Sequence, residues 1–191
     1  MKTQTIIALK IILVLTVIIG LLYPLLITGL SQVFFPHKAN GSMIKKDGII
    51  IGSELIGQVF DSAAYFWSRP SAIDYNPLPS SGSNLGPTSD KLKKLVNERW
   101  AAFISMNMLK DSTTIPVEMI TASSSGLDPH ISPEAAFLQV ERITNARHFN
   151  DGQKQILIQC IKDLTEAPQL LYLGKERINV VLLNVEIDKI K

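Results

Sequence analysis

Residues 11–35 read IILVLTVIIGLLYPLLITGLSQVFF, with no Asp, Glu, Lys, Arg or His among them. As a helix this stretch spans roughly 37 Å, against a hydrocarbon core about 30 Å thick. The apolar region of a cleavable signal sequence is only about 7–15 residues long. The run therefore predicts an uncleaved membrane helix over 11–35, preceded by a short arm over 1–10. Thr16, Gly20, Pro24 and Thr28 recur every fourth position and form a stripe of small or notched residues. Such stripes let helix backbones approach closely, and threonine can hydrogen-bond across the contact. Pro24 is expected to kink the helix, because it lacks an N–H and its ring crowds the preceding turn.

Charge separates this end from the remainder. The first 35 residues hold two of the 19 basic residues, Lys2 and Lys10, and none of the 17 acids. The following 156 residues are neutral, with 17 of each sign. That balance excludes the basic footprint of a nucleic-acid binder. It leaves enough apolar material for one ordinary globular domain. The single cysteine, Cys160, excludes an intrachain disulfide and a thiolate-cluster metal site. Lys38, Lys45 and Lys46 follow the span, so lysines flank it on both sides and do not choose an orientation.

Beyond the span, 36–47 reads as a juxtamembrane linker and 48–191 as a small α/β domain. Ile49-Ile50-Ile51 between glycines suggests a buried strand. Asn76 to Thr88 (NPLPSSGSNLGPT) is a long loop. A helix is expected from about Ser89 to Met108, capped by Thr88 or Ser89, burying Leu92, Leu95, Val96, Ala102, Phe103 and Met106. Ile115 to Ala122 looks β-like. Ser132-Pro133-Glu134 starts a second helix running to Arg147. A third begins near Asp151 and buries Ile156, Leu157, Cys160, Ile161 and Leu164. Ile178 to Ile187 (INVVLLNVEI) is read as a central strand. The fold class is mixed α/β, with few strands and three main helices behind one membrane helix.

Three motifs carry candidate chemistry. Tyr65 to Ala72 (YFWSRPSA) joins three aromatics to Arg69, whose planar fork can grip an anion or hold loop carbonyls. Ser80 to Gly86 (SSGSNLG) precedes a helix but lacks the Gly-Lys-Ser/Thr ending of a phosphate loop. Ser123 to His130 (SSSGLDPH) invites a hydrolase reading with Ser124 or Ser125 and His130. A triad needs its groups to converge from separate elements, which eight consecutive residues do not guarantee. The same residues read as a turn, with Asp128 capping and Pro129 fixing φ.

Taken together, these stretches resemble the C-subunit family of the Kdp potassium-transporting ATPase. The matching residues are Gly52-Ser53 with Gly57-Gln58, Arg69-Pro70-Ser71-Ala72 and Gly82-Ser83-Asn84-Leu85-Gly86-Pro87. Ser125-Gly126-Leu127-Asp128-Pro129-His130-Ile131-Ser132-Pro133, Ala135-Ala136, Gln139, Arg142 and Ala146-Arg147 complete them. Ser124 and Thr144 depart from what the family often carries. The resemblance implies an accessory subunit of a high-affinity potassium pump, without catalysis or a cofactor of its own. ATP and K+ would be handled by the complex. Its partners would be a channel-like A subunit, a P-type ATPase B subunit and a small F subunit. It would sit in the bacterial inner membrane, N-terminus cytoplasmic and domain extracytoplasmic. Arg69, Ser71, Gly82, Asn84, Gly86, Gly126, Asp128 and His130 would dock partners or shape the domain. Ser125, Gly126 and Gln139 would be linked to nucleotide, if the subunit raises the ATPase subunit's affinity for ATP. The chain lacks the Asp-Lys-Thr-Gly-Thr phosphorylation motif of P-type ATPases. A membrane-anchored hydrolase and a solute-binding or adhesion module are the competing expectations.

Overall fold

The computed structural model describes residues 2–78, 80–170 and 172–190. One continuous helical stretch, Lys2–Phe34, is long and apolar enough to cross a membrane. It comprises α1 (Lys2–Val17), a π-helical turn (Ile18–Leu22) and α2 (Tyr23–Phe34). The π turn explains how Pro24 is accommodated. The Tyr23 N–H reaches back five residues to the Ile18 carbonyl, which loosens the turn that the proline ring would otherwise crowd. In an α-helix a four-residue step overshoots one turn of 3.6 residues. The wider π turn reduces that overshoot, so Thr16, Gly20, Pro24 and Thr28 stay closer to one line.

After the span, α3 (Pro36–Ala39) is one helical turn, and β1 (Met43–Lys46) and β2 (Ile49–Ser53) form an antiparallel hairpin. Residues 36–47, expected as linker, thus contain regular structure. The hairpin turn is Asp47-Gly48, with φ of 52° and 79°. Two consecutive positive φ values suit the right-handed twist of the flanking strands, and Asp-Gly tolerates them. The strand expected at Ile49–Ile51 is present but not buried: Ile49 is 69% exposed and Ile50 57%.

The helix α4 (Asp90–Met106) is capped by Ser89, whose Oγ accepts from the Leu92 N–H at 3.4 Å. Phe103 and Ile104 are its buried residues; Ala102 and Met106, expected inside, are exposed. Ile115–Ala122 forms a loop with a 3₁₀ turn (Val117–Met119) rather than a strand, although Ile115 and Met119 are buried. The helix expected from Ser132 to Arg147 is broken into α5 (Pro133–Phe137) and α6 (Val140–Arg147). Gln139 is the cause. Its side-chain Nε2 donates to the Ala135 carbonyl at 3.2 Å, and its backbone N–H turns to Ala136 instead. The side chain thereby takes the acceptor that a continuous helix would use.

A capping box between Asn150 and Gln153 opens α7 (Asp151–Asp163). Leu157 and Ile161 are buried, whereas Ile156 is exposed. The strands β3 (His130–Ile131), β4 (Thr165–Glu166) and β5 (Arg177–Asn179) form an antiparallel sheet in the order β3-β5-β4. The run expected as a central strand changes type at Asn179. Its Oδ1 accepts from the N–H groups of Val181 and Leu182, at 3.0 and 3.2 Å, and starts α8 (Val180–Ile187). A continuous apolar run fits a buried helix as well as a buried strand, because neither shows periodicity when every face is covered. Phe66, Ile143, Leu157, Ile161, Ile178, Val180, Leu183 and Ile187 form the fully buried centre.

Candidate functional site

Among the described residues the segment Ser62–Trp67 has no strand partner, yet its carbonyls face buried side chains, and each needs a donor. Side chains provide them. Arg142 Nη1 donates to the carbonyls of Ser62, Ala63 and Tyr65, at 3.4, 2.6 and 3.0 Å. Arg147 Nε donates to Ala64 at 2.7 Å. Two buried amides mimic a neighbouring strand. Asn184 accepts from the Phe66 N–H and donates to the Phe66 carbonyl, at 2.8 and 3.0 Å. Gln139 does the same for Trp67, at 2.8 and 3.4 Å. The Arg142 guanidinium also bonds Asn107 and Gln139 and stacks 4.0 Å over the Trp67 ring. Among the described residues no carboxylate pairs with it, and burial pulls its pKa down to about 10. Its compensation is dipolar: carbonyls, amides, an aromatic face and the C-terminal end of α4, where Asn107 sits.

This brace positions Arg69, which follows directly. Arg69 Nη1 donates to Asp128 Oδ2 at 2.8 Å. The other carboxylate oxygen accepts from the His130 N–H at 3.0 Å and faces His130 Nδ1 at 3.2 Å. Burial opposes ionisation of Asp128, but His130 and Arg69 outweigh it and hold its pKa at about 2. Tyr75 donates its hydroxyl to the Arg69 carbonyl, and burial pushes the phenol up from its ordinary range. Ser71 Oγ donates to the Gly126 carbonyl at 2.8 Å and accepts from Ile73 and Tyr75. The YFWSRPSA and SSSGLDPH motifs are therefore one unit, closed by Gly57, whose N–H donates to the Leu127 carbonyl at 2.7 Å.

Two open cavities lie against this unit, and Arg69 and Asp128 line both. One, of about 570 Å³, is lined by Leu55, Ile56, Ser123, Ser124, Ser125, Leu127 and Pro129. The other, of about 530 Å³, holds His130 with Glu118, Ser132, Glu166, Lys175 and Arg177. The serines and the histidine thus border different cavities. Ser125 Oγ accepts from the Leu127 N–H at 3.1 Å, a local turn bond. Among the described residues no hydrogen bond joins Ser124 or Ser125 to His130. This geometry does not favour the hydrolase expectation, because the nucleophile and its base must come within hydrogen-bond reach.

The loop over 76–88 leans on the same turn. Ser80 Oγ donates to the Ser125 carbonyl at 2.8 Å. A Cβ on Gly82 would lie 2.9 Å from the Ser124 carbonyl oxygen. Asn84 adopts a positive φ of 53°, and Gly86 faces open space. Pro79 of this loop lies outside the described residues. Gln139 does not meet Ser125 and Gly126 in a common pocket: it is fully buried, and its amide is bonded to Trp67, Ala135 and Arg142. Among the described residues no group of three or more His, Cys, Asp or Glu could hold a metal ion. The stripe Thr16, Gly20, Pro24, Thr28 lies on a helix with no buried residue.

Sequence reasoning missed the roles of Asn107, Arg142, Asn184 and Asp188. Asn184 lies inside an apolar run, where an isolated polar residue signals a buried partner, and Asn107 and Asp188 are helix C-caps; Arg142, among polar neighbours in α6, carries no such local signal.

The comparisons with known proteins agree along the chain. A family model described as K+-transporting ATPase, c chain, matches residues 5–189. A potassium-transporting ATPase KdpC subunit from Mycobacterium tuberculosis is 45% identical over 192 residues, covering all of both chains. The protein of that name from Methylococcus capsulatus is 44% identical over 187 residues, 96% of each chain. That from Photorhabdus laumondii is 47% identical over 179 residues, 92% of this chain and 91% of its own.

Proposed function

The chain belongs to the family of the K+-transporting ATPase c chain, and on that premise we propose that it is an accessory subunit of an ATP-driven potassium uptake pump. The observation that carries this reading is the reach of the match, which runs through both the membrane helix and the α/β domain. Its partners are a channel-like A subunit, a P-type ATPase B subunit and a small F subunit. The helix stripe at Thr16, Gly20, Pro24 and Thr28 packs against partner helices, where small residues allow close backbone approach. The chain crosses the cell membrane once, with its N-terminus in the cytoplasm and its domain outside.

The subunit fastens the channel-like and ATPase subunits together and raises the latter's affinity for ATP indirectly. Two features favour an indirect effect. Gln139, the residue suspected of touching nucleotide, is fully used in the brace. An extracytoplasmic domain also has no access to cytosolic ATP, so its influence must be a coupling free energy carried through the membrane helix. The reading is tested by purifying the tagged chain in mild detergent from potassium-starved cells. Recovery with the two large pump subunits, and a lower KM for ATP than in pumps lacking the chain, is expected. Recovery as an isolated monomer overturns it.

A further inference from the structure

We propose that Asp188 is a latch that makes the membrane helix and the α/β domain move as one body, with the β1–β2 hairpin as the lever between them. The base of the hairpin is tied to α3, and the residue after α3 to the end of the span. The Ser42 N–H donates to the His37 carbonyl at 2.9 Å, and Ser53 Oγ donates to Gly41 at 2.7 Å. Asn40 reaches back to the α2 side chain of Gln32 at 3.2 Å. A displacement of the helix end is therefore a displacement of the hairpin.

Among the described residues, side-chain bonds tie the hairpin to the domain near both of its ends. At its base, Asn179 Nδ2 donates to the Glu54 carbonyl at 2.7 Å. At its far end, Lys46 Nζ reaches Asp188 Oδ2 at 3.1 Å, beside the Asp47-Gly48 turn. Five residues of extended chain separate Ile49, the partner of Lys46, from Glu54, up to roughly 17 Å. One contact alone would be a pivot. A second at that distance fixes the angle between hairpin and domain. Gln58 lies across the middle of β2, donating to the Ile51 carbonyl at 3.1 Å and filling the space beside Gly52.

Asp188 is built for this contact rather than for its own helix. It caps the C-terminus of α8, where the helix dipole disfavours a negative charge. Its other oxygen accepts from Arg147 Nη2 at 2.9 Å and from the Tyr65 hydroxyl at 3.0 Å. Burial opposes its ionisation, and Arg147, Lys46 and Tyr65 together draw its pKa below the ordinary carboxylate value. Arg147 and Tyr65 hold the carboxylate in place on the domain; Lys46 is the part that can let go. This arrangement does not depend on which partners surround the helix.

The test uses the full chain in nanodiscs with Cys160→Ser and spin labels at Lys38→Cys and Gln155→Cys. The parent gives a narrow distance distribution between the labels. Asp188→Ala is expected to broaden it at least twofold, while Glu186→Ala, on the same helix end, leaves it narrow. Should Asp188→Ala unfold the domain, Lys46→Ala removes only the hairpin's half of the contact and must broaden the distribution as well. Lys46→Arg is expected to restore the narrow form. A distribution as narrow in a folded Lys46→Ala protein as in the parent overturns the proposal.

Discussion

The guanidinium of Arg142 lies 4.0 Å over the ring of Trp67 while donating to three carbonyls of the segment that leads to it. One buried side chain thus orders an irregular segment and so positions Arg69 two residues beyond Trp67. Lysine cannot replace it, since a single ammonium group lacks the planar fork that reaches several acceptors and stacks on an aromatic face. Arg142→Lys is expected to destabilise the domain by roughly 3 kcal/mol, through buried carbonyl and amide acceptors left without donors. Denaturant unfolding of the detergent-solubilised chain measures this; a loss below about 1 kcal/mol would refute the brace.

Asp128 makes stability depend on acid pH. Its folded pKa of about 2 lies below the ordinary value of 3.8. The unfolded chain therefore binds the proton more readily, and stability falls as pH drops. The contribution is complete above about pH 4 and is lost progressively towards pH 2. Asp128→Asn should lower the melting temperature at pH 7 and flatten its decline between those values. A parallel decline in both proteins would show that the Arg69–Asp128–His130 contact carries no such linkage.

Gly126 and Gly57 test the need for glycine in this unit, with Gly86 as the control. Gly126 has a φ of +71°, and a Cβ there would lie 2.5 Å from Ile73. A Cβ on Gly57 would meet the Asp128 carbonyl oxygen at 2.9 Å. Alanine at either site should cost about 1–3 kcal/mol through strain and overpacking. Gly86→Ala faces open space and should be near neutral. Melting curves of the three variants separate close approach from general loop sensitivity.

Thr144 has a buried hydroxyl without a hydrogen-bond partner among the described residues. Valine keeps the shape and removes the unsatisfied group, so Thr144→Val is expected to stabilise by about 1 kcal/mol. A destabilised variant in urea unfolding would show that the hydroxyl is satisfied in solution.

The membrane stripe gives a prediction of a different kind. Gly20→Leu with Thr28→Leu fills the notch in the helix without touching the domain. Co-purification with pump subunits should fall severalfold while the domain's unfolding stays unchanged. Intact complexes would remove the stripe from the interface.

The chain's local chemistry was enough to locate the membrane helix, the starts of α4, α5 and α7, and the turn at Asp128-Pro129-His130. Each depends on neighbours in sequence: an uncharged run, a capping Ser, an Asp followed by Pro. The Asp47-Gly48 hairpin was missed, with 36–47 read as linker, although Asp-Gly between β-rich residues is a local signal. Tertiary structure decided what local signals leave degenerate. The run Ile178–Ile187 is mostly apolar and shows no clear periodicity, and it passes from strand to helix at Asn179, whose side chain caps α8. Gln139 breaks a helix because its amide is needed by Trp67, 72 residues away. Asp128 finds Arg69 across 59 residues, and Lys46 finds Asp188 across 142. Sequence spacing is silent on such pairs, because the entropy of closing a loop rises only slowly with its length and many partners remain open to each group. Only the packed core, by excluding water from those carbonyls and charges, makes one partner far better than the rest.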